Sequence, residues 1–147
     1  DNPETFLSVS VSFDGPPPVH DAIRQVPGGH GRSMDAVRRL KALKRELPNL
    51  GVGILVTVTR ENQDSLASHL EELVRELAPD NVTINLARGT ALDESLLSVD
   101  LPRYREVVEK KRALIASGLL PYFDFPLARL ARARDAAMYD HVERIAS

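Results

Sequence analysis

The side chains able to do chemistry cluster where short alternating segments end. Ser12 and Asp14 close the first such segment, Thr57, Thr59 and Asn62 the second, and Asn85, Arg88 and Gly89 the third. This set is rich in hydrogen-bonding groups and poor in acid–base machinery, so it suits binding of a polar ligand better than hydrolysis. The four histidines (His20, His30, His69, His141) show no metal-ligand spacing. His69, beside Glu72, is expected on the solvated side of its helix. Gly28-Gly29-His30-Gly31 lacks the Lys-Ser/Thr ending of a phosphate loop and follows a proline-rich stretch, so it reads as a connection or flexible lid. No Gly-x-Ser-x-Gly elbow occurs. Asp14 and His20 remain candidate bases if the chain is a small βα enzyme.

The positioning elements follow from periodicity. Residues 6–13 alternate strictly, and Asp14-Gly15-Pro16 stops the run, which predicts a strand. Residues 52–59 and 82–87 predict two more. Between them lie a helix expected to be capped by Ser33, with a buried stripe of Val37, Leu40, Leu43 and Leu47, and a helix capped by Asn62 or Asp64. The second carries Leu66, Leu70, Leu73, Val74 and Leu77 at helical spacing. A helical turn is expected around His20 to Arg24. Pro102 opens a later helix that Gly118 closes; Leu119 to Phe125 reads as an edge strand, and an arginine-rich helical tail follows.

Strand–helix alternation predicts an α/β fold of parallel βαβ units. Parity then divides each strand. Leu7, Val9, Val11 and Phe13 oppose Ser8, Ser10 and Ser12; Val52, Ile54, Val56 and Val58 oppose Gly53, Leu55, Thr57 and Thr59. Val82, Ile84 and Leu86 likewise oppose Thr83, Asn85 and Ala87. A sheet covered by helices on both faces reads almost wholly apolar. The polar face therefore suggests the lumen side of a barrel, whose chemistry sits at the strands' carboxyl ends.

The motif order resembles a known family. Val11-Ser12-Phe13-Asp14-Gly15-Pro16 with His20-Asp21-Ala22-Ile23-Arg24 is similar to the fourth strand and following loop of radical S-adenosylmethionine enzymes, in the branch with SPASM/twitch-type extensions. Val56 to Asn62 resembles the fifth strand with its Thr-x-x-Asn ending, and Val82 to Gly89 the sixth. The likeness spans about residues 6 to 117 and implies about three strands of a (β/α)6 partial TIM-type barrel, with extra C-terminal helices. It implies a barrel fragment over 1–118 and a helical extension, or the start of another domain, over 119–147. The implied cofactor-binding residues are Ser12, Asp14, Arg24, Thr59, Asn62, Asn85, Leu86 and Arg88, with Arg88 alternatively pairing with Asp14.

The implied activity is reductive cleavage of S-adenosylmethionine at a 4Fe–4S cluster, giving a 5′-deoxyadenosyl radical that abstracts hydrogen from substrate. The chain departs from the family in having no cysteine for the Cys-x3-Cys-x2-Cys loop and no Gly-Gly-Glu segment. Those belong to an N-terminal half of the barrel, expected upstream, and the chain alone is expected to be inactive and to hold no cofactor cluster. The alternatives are a non-catalytic α/β interaction domain or a small βα enzyme of another family.

Composition bounds these readings. The chain has 147 residues and 43% apolar content, enough for one core. Nineteen basic against 21 acidic residues argue against nucleic acid or an anionic membrane as partner. No leader pattern or membrane-length apolar run occurs, so a cytoplasmic protein is expected. Open sheet edges and an uncovered concave face predict self-association.

Overall fold

A computed structural model describes residues 5–87, 98–121 and 128–145. The elements run β1 (Leu7–Ser12), α1 (Pro17–Arg24), α2 (Gly29–Leu43), β2 (Leu50–Val58), α3 (Leu66–Leu77), β3 (Asn81–Leu86), α4 (Leu101–Ala116) and α5 (Ala128–Ile145). The strands form a parallel sheet in the order β1-β2-β3. Val11, Ile54 and Val82 align in one row, and Ser12, Leu55 and Thr83 in the next.

Sequential order with crossovers of one hand places successive helices on the same side of the sheet. The core agrees. Val52, Ile54, Val56, Val58, Val82 and Ile84 are fully buried, in one cluster with Phe13 and Val37 and the α3 stripe Leu66, Leu70, Leu73, Val74 and Leu77. Tyr104, Val107, Val108 and Leu114 of α4, and Tyr139 and Val142 of α5, join the same cluster. Helix α2 packs on β1 and β2, α4 packs on β3, and α3 lies between α2 and α4. The opposite face is half-open: Ser8 and Ser10 are exposed, while Ser12, Leu55, Thr57, Thr83 and Asn85 are partly so. The parity reading therefore holds, and the protein is α/β with a three-stranded parallel sheet.

Several local expectations are corrected. Helix α2 begins at Gly29 rather than behind a Ser33 cap, so Gly29-His30-Gly31 is helical and not a lid. Its first N–H groups are satisfied from another helix: Asp21 of α1 accepts from Gly28 N at 2.6 Å and His30 N at 2.8 Å. Gly28, at φ 70°, supplies the left-handed turn between them. The stripe on α2 is also shorter than its spacing suggests. Met34 and Val37 are buried, Leu40 is half-buried, but Leu43, the last residue of α2, and Leu47, beyond its end, are 42% and 41% exposed. Helix α3 starts at Leu66, later than an Asn62 or Asp64 cap would place it, since residues 60–65 form turns instead. Residues 119–121 form no strand, and 122–127 lie outside the described residues.

Candidate functional site

The carboxyl ends of β1 and β2 are tied by Asn62. It is fully buried, and its amide is committed to backbone: Oδ1 accepts from Thr59 N at 2.8 Å, while Nδ2 donates to Asp14 O at 3.0 Å and Thr57 O at 2.8 Å. Gly15 sits beside this clasp at φ 128°, where an added Cβ would press against Val19. The sharp exit after Phe13 therefore needs glycine.

Asp14 is buried, and its Oδ2 accepts from Arg24 Nε at 2.5 Å. Its N–H donates to His20 Nδ1 at 3.1 Å, which fixes the neutral imidazole with its proton on Nε2. His20 belongs to a cluster that sequence spacing missed. His20, His30 and His69 are all buried; Phe13 lies beside the first two rings, and His69 follows behind His30. The His20 and His30 rings meet edge to face at 5.6 Å, and His30 Nε2 lies 3.0 Å from His69 Nε2. His69 Nδ1 lies 3.0 Å from the exposed Glu72 carboxylate. With Glu72 accepting from His69 Nδ1–H, His69 Nε2 can accept from His30 Nε2–H, so the two facing nitrogens share one proton in a hydrogen bond. Burial pushes the pKa of His20 below its ordinary value, and burial followed by His69 does the same for His30.

The expected solvation of His69 is thus wrong. Its position, three residues after Leu66 and four before Leu73, places it on the buried stripe, and that spacing is the signal that would have found it. The three rings do not form a metal site: among the described residues no group of three metal-ligating side chains converges.

Beside this cluster a cavity of about 330 Å³ opens along the outer edge of β1, lined by Ser12, His20, Arg24, Arg32 and Ser33 among others. The fold thus brings together Ser12 and Arg24, and adds Arg32, which sequence reasoning passed over. Arg24 spends its Nε on Asp14, and Arg32 spends one terminal nitrogen on Pro27 O at 3.0 Å. Each keeps further N–H groups for an anion, and a guanidinium fork matches a carboxylate.

The remaining expected residues are distributed across the sheet. Thr59 is 8% exposed, and its Oγ1 is buried with no hydrogen-bond partner among the described residues. Asn85 lies on the open face in register with Thr57. Leu86 points the other way and packs against the core. Two strand spacings separate β3 from β1, about 10 Å, so Asn85 does not meet the Ser12–Arg24 cavity directly. Arg88 lies outside the described residues, and Asp14 finds its cation in Arg24.

No family model matches the chain, and no curated protein matches it.

Proposed function

We propose that this chain is part of a radical S-adenosylmethionine barrel, binding the cofactor across the open face and carboxyl ends of β1–β3. The observation that supports this most is the segregation of the sheet. Helices α2, α3 and α4 lie on the aliphatic side, leaving serine, threonine and asparagine side chains on a face that no described element covers.

The residues fit the cofactor on three counts. Arg24 and Arg32 flank Ser12 and present cationic forks to a carboxylate. Thr59 Oγ1 is a buried oxygen with no partner among the described residues, and such a group costs about 1–3 kcal/mol unless something bonds it. Asn85 adds an amide on the same face. Asn62 and Asp14 support this site by fixing the exits of β1 and β2. The bound cofactor supplies hydrogen-abstraction chemistry in the family. A 4Fe–4S cluster does not fit this chain, which has no cysteine, and no step is derived through it. In this reading residues 1–118 belong to a (β/α)6 partial barrel in the cytoplasm, its other strands and cluster ligands come from elsewhere in the barrel, and 119–147 extend it.

A general-base role for Asp14 or His20 has less support from the geometry. Asp14 is ion-paired with Arg24, and the His20 lone pair already accepts the Asp14 N–H.

Titration of the ¹⁵N-labelled chain with S-adenosylmethionine, followed by amide chemical shifts, tests the proposal at the weak affinity of a partial site. Saturable shifts are expected at residues 12–15, 57–62 and 85–87, and Arg32→Ala should weaken them at least tenfold. Absence of saturable shifts, or shifts confined to other residues, overturns it.

A further inference from the structure

We propose that the outer edge of β1 pairs with the same edge of a second copy, antiparallel, across a two-fold axis at Ser10. This does not rest on the cofactor reading.

The backbone sets which groups are offered. Leu7 N donates to Asn49 O at 3.1 Å and Phe13 N to Leu55 O at 2.8 Å, so the odd-numbered residues of β1 face β2. The N–H and C=O groups of Ser8, Ser10 and Ser12 therefore point outward. β1 ends the strand order, and no strand among the described residues pairs there. Natural edges are blunted by lysine, proline, bulges or covering elements. From Thr5 to Phe13 there is no charged residue and no proline, and the ladder to β2 is regular from Leu7 to Ser12. Leu7 is 53% exposed, and Ser8 and Ser10 are exposed.

The sequence favours a copy of itself as occupant. Residues 8–12 read Ser-Val-Ser-Val-Ser in either direction, so a two-fold axis at Ser10 sets like against like at every position. Ser10 then faces Ser10 of the second copy, and Ser8 faces Ser12, each pair exchanging both N–H···O bonds. Val9 meets Val11 in the closer, non-hydrogen-bonded pairs on the helix-covered side. Both valines are only half-buried within one copy, so pairing removes further apolar surface from water. The absence of charge on either strand removes like-charge repulsion between identical edges. An axis perpendicular to the sheet keeps the helices of both copies on one side and joins their serine rows into one polar face of six strands. A strand supplied by a larger barrel would occupy the same edge, so the two arrangements exclude each other.

Sedimentation equilibrium on the full chain should show the 16.2 kDa protomer mass doubling with concentration in the micromolar to near-millimolar range. Ser10→Pro removes an outward N–H without touching the β1–β2 ladder, and should leave a folded monomer. Cross-linking reads the register and remains decisive if that variant does not fold. The chain has no cysteine of its own. Ser10→Cys should oxidise readily to a disulfide dimer, since paired Cα atoms lie about 5.5 Å apart. Ser8→Cys and Ser12→Cys should each resist cross-linking alone, being about 14 Å from their own counterparts, but should cross-link when mixed. A monomer at every concentration, or efficient self-cross-linking at position 8 or 12, overturns the inference. The ligand-induced shifts at 57–62 and 85–87 lie away from this edge and judge the cofactor reading independently of either result.

Discussion

Asn62 is the most informative single residue to remove. Truncation to alanine deletes three hydrogen bonds at once and strands a buried Thr59 N–H together with the Asp14 and Thr57 carbonyls. A typical hydrogen bond contributes about 1 kcal/mol net, and a buried group left unsatisfied costs about 1–3 kcal/mol. The Asp14 side of the clasp is fully buried, whereas the Thr57 side is only partly so, and water can replace the bond there. Asn62→Ala should therefore lose about 3 kcal/mol of stability. Urea denaturation followed by circular dichroism measures this directly.

Asn62→Asp separates hydrogen bonding from packing, because it preserves shape. The carboxylate keeps the bond from Thr59 N but has no donor for either carbonyl, and it sets a negative charge against both. Its loss should equal or exceed that of the alanine variant at neutral pH, by a total of about 4 kcal/mol. In acid the protonated carboxyl donates once, so the difference from the parent chain should narrow. A loss below about 1 kcal/mol for Asn62→Ala, where three net bonds predict about 3, would refute the clasp. An aspartate variant more stable than the alanine at neutral pH would refute the donor assignment.

Two further perturbations bear on the buried polar groups. His20 and His30 are held below their ordinary value of 6.5, so the unfolded chain binds protons that the folded chain refuses. Stability should be complete above about pH 6.5 and fall as the pH drops from there toward the depressed folded values. His30→Gln should flatten the slope of urea midpoint against pH between roughly pH 7 and pH 5.5; an unchanged slope contradicts the burial of a neutral His30. Between α4 and α5, Lys111 is 2% exposed and donates to Asp135 Oδ1 and Oδ2 at 3.0 and 2.8 Å and to Tyr139 Oη at 3.0 Å. Lys111→Met leaves Asp135 buried without that cation and should cost about 3–5 kcal/mol. Adding Asp135→Leu should recover most of the loss, and a double variant as unstable as the single one contradicts the coupling in thermal denaturation.

What the sequence disclosed follows physical range. The strands and the α3 stripe are encoded by neighbours two, three or four positions apart, so parity and spacing found them. Asp14, Ser12 and Arg24 were legible as a group because a strand end and its following helix fall within a dozen residues. The beginning of α2 was not, since the carboxylate that satisfies its first N–H groups is Asp21 from α1, and a search for a local cap settles on Ser33 instead. His69 was misplaced by weighing its polarity above its position; a histidine can be buried cheaply when a second histidine and a surface carboxylate complete its bonds. That completion joins residues 39 apart, which no local pattern shows. Arg32 was missed because its relevance depends on α2 starting early enough to bring it beside Ser12.

The polar groups near the strand ends divide into two populations. Asn62, Asp14, Asp21 and the Nδ1 of His20 spend their hydrogen-bonding capacity inside the fold, on backbone or on a neighbouring side chain. Asp21 is held below its usual range mainly by the His30 N–H, with Gly28 N–H adding to it. These residues act as fasteners, and altering them should be read first in stability. Ser12 Oγ, Thr59 Oγ1 and the Asn85 amide have no such bonds among the described residues. Two of these three stand on the strands themselves, and Thr59 directly follows β2. An unbonded buried hydroxyl is unfavourable in isolation, and a fold that satisfies its backbone so fully at the same strand ends has little reason to leave one there. The distinction therefore gives an order of experiments: variants of the second population should move ligand-induced shifts without lowering the urea midpoint, and Thr59→Val should raise it. If Thr59→Val leaves every ligand-induced shift intact, that hydroxyl has no bound ligand to lose, and the cofactor reading loses its strongest member.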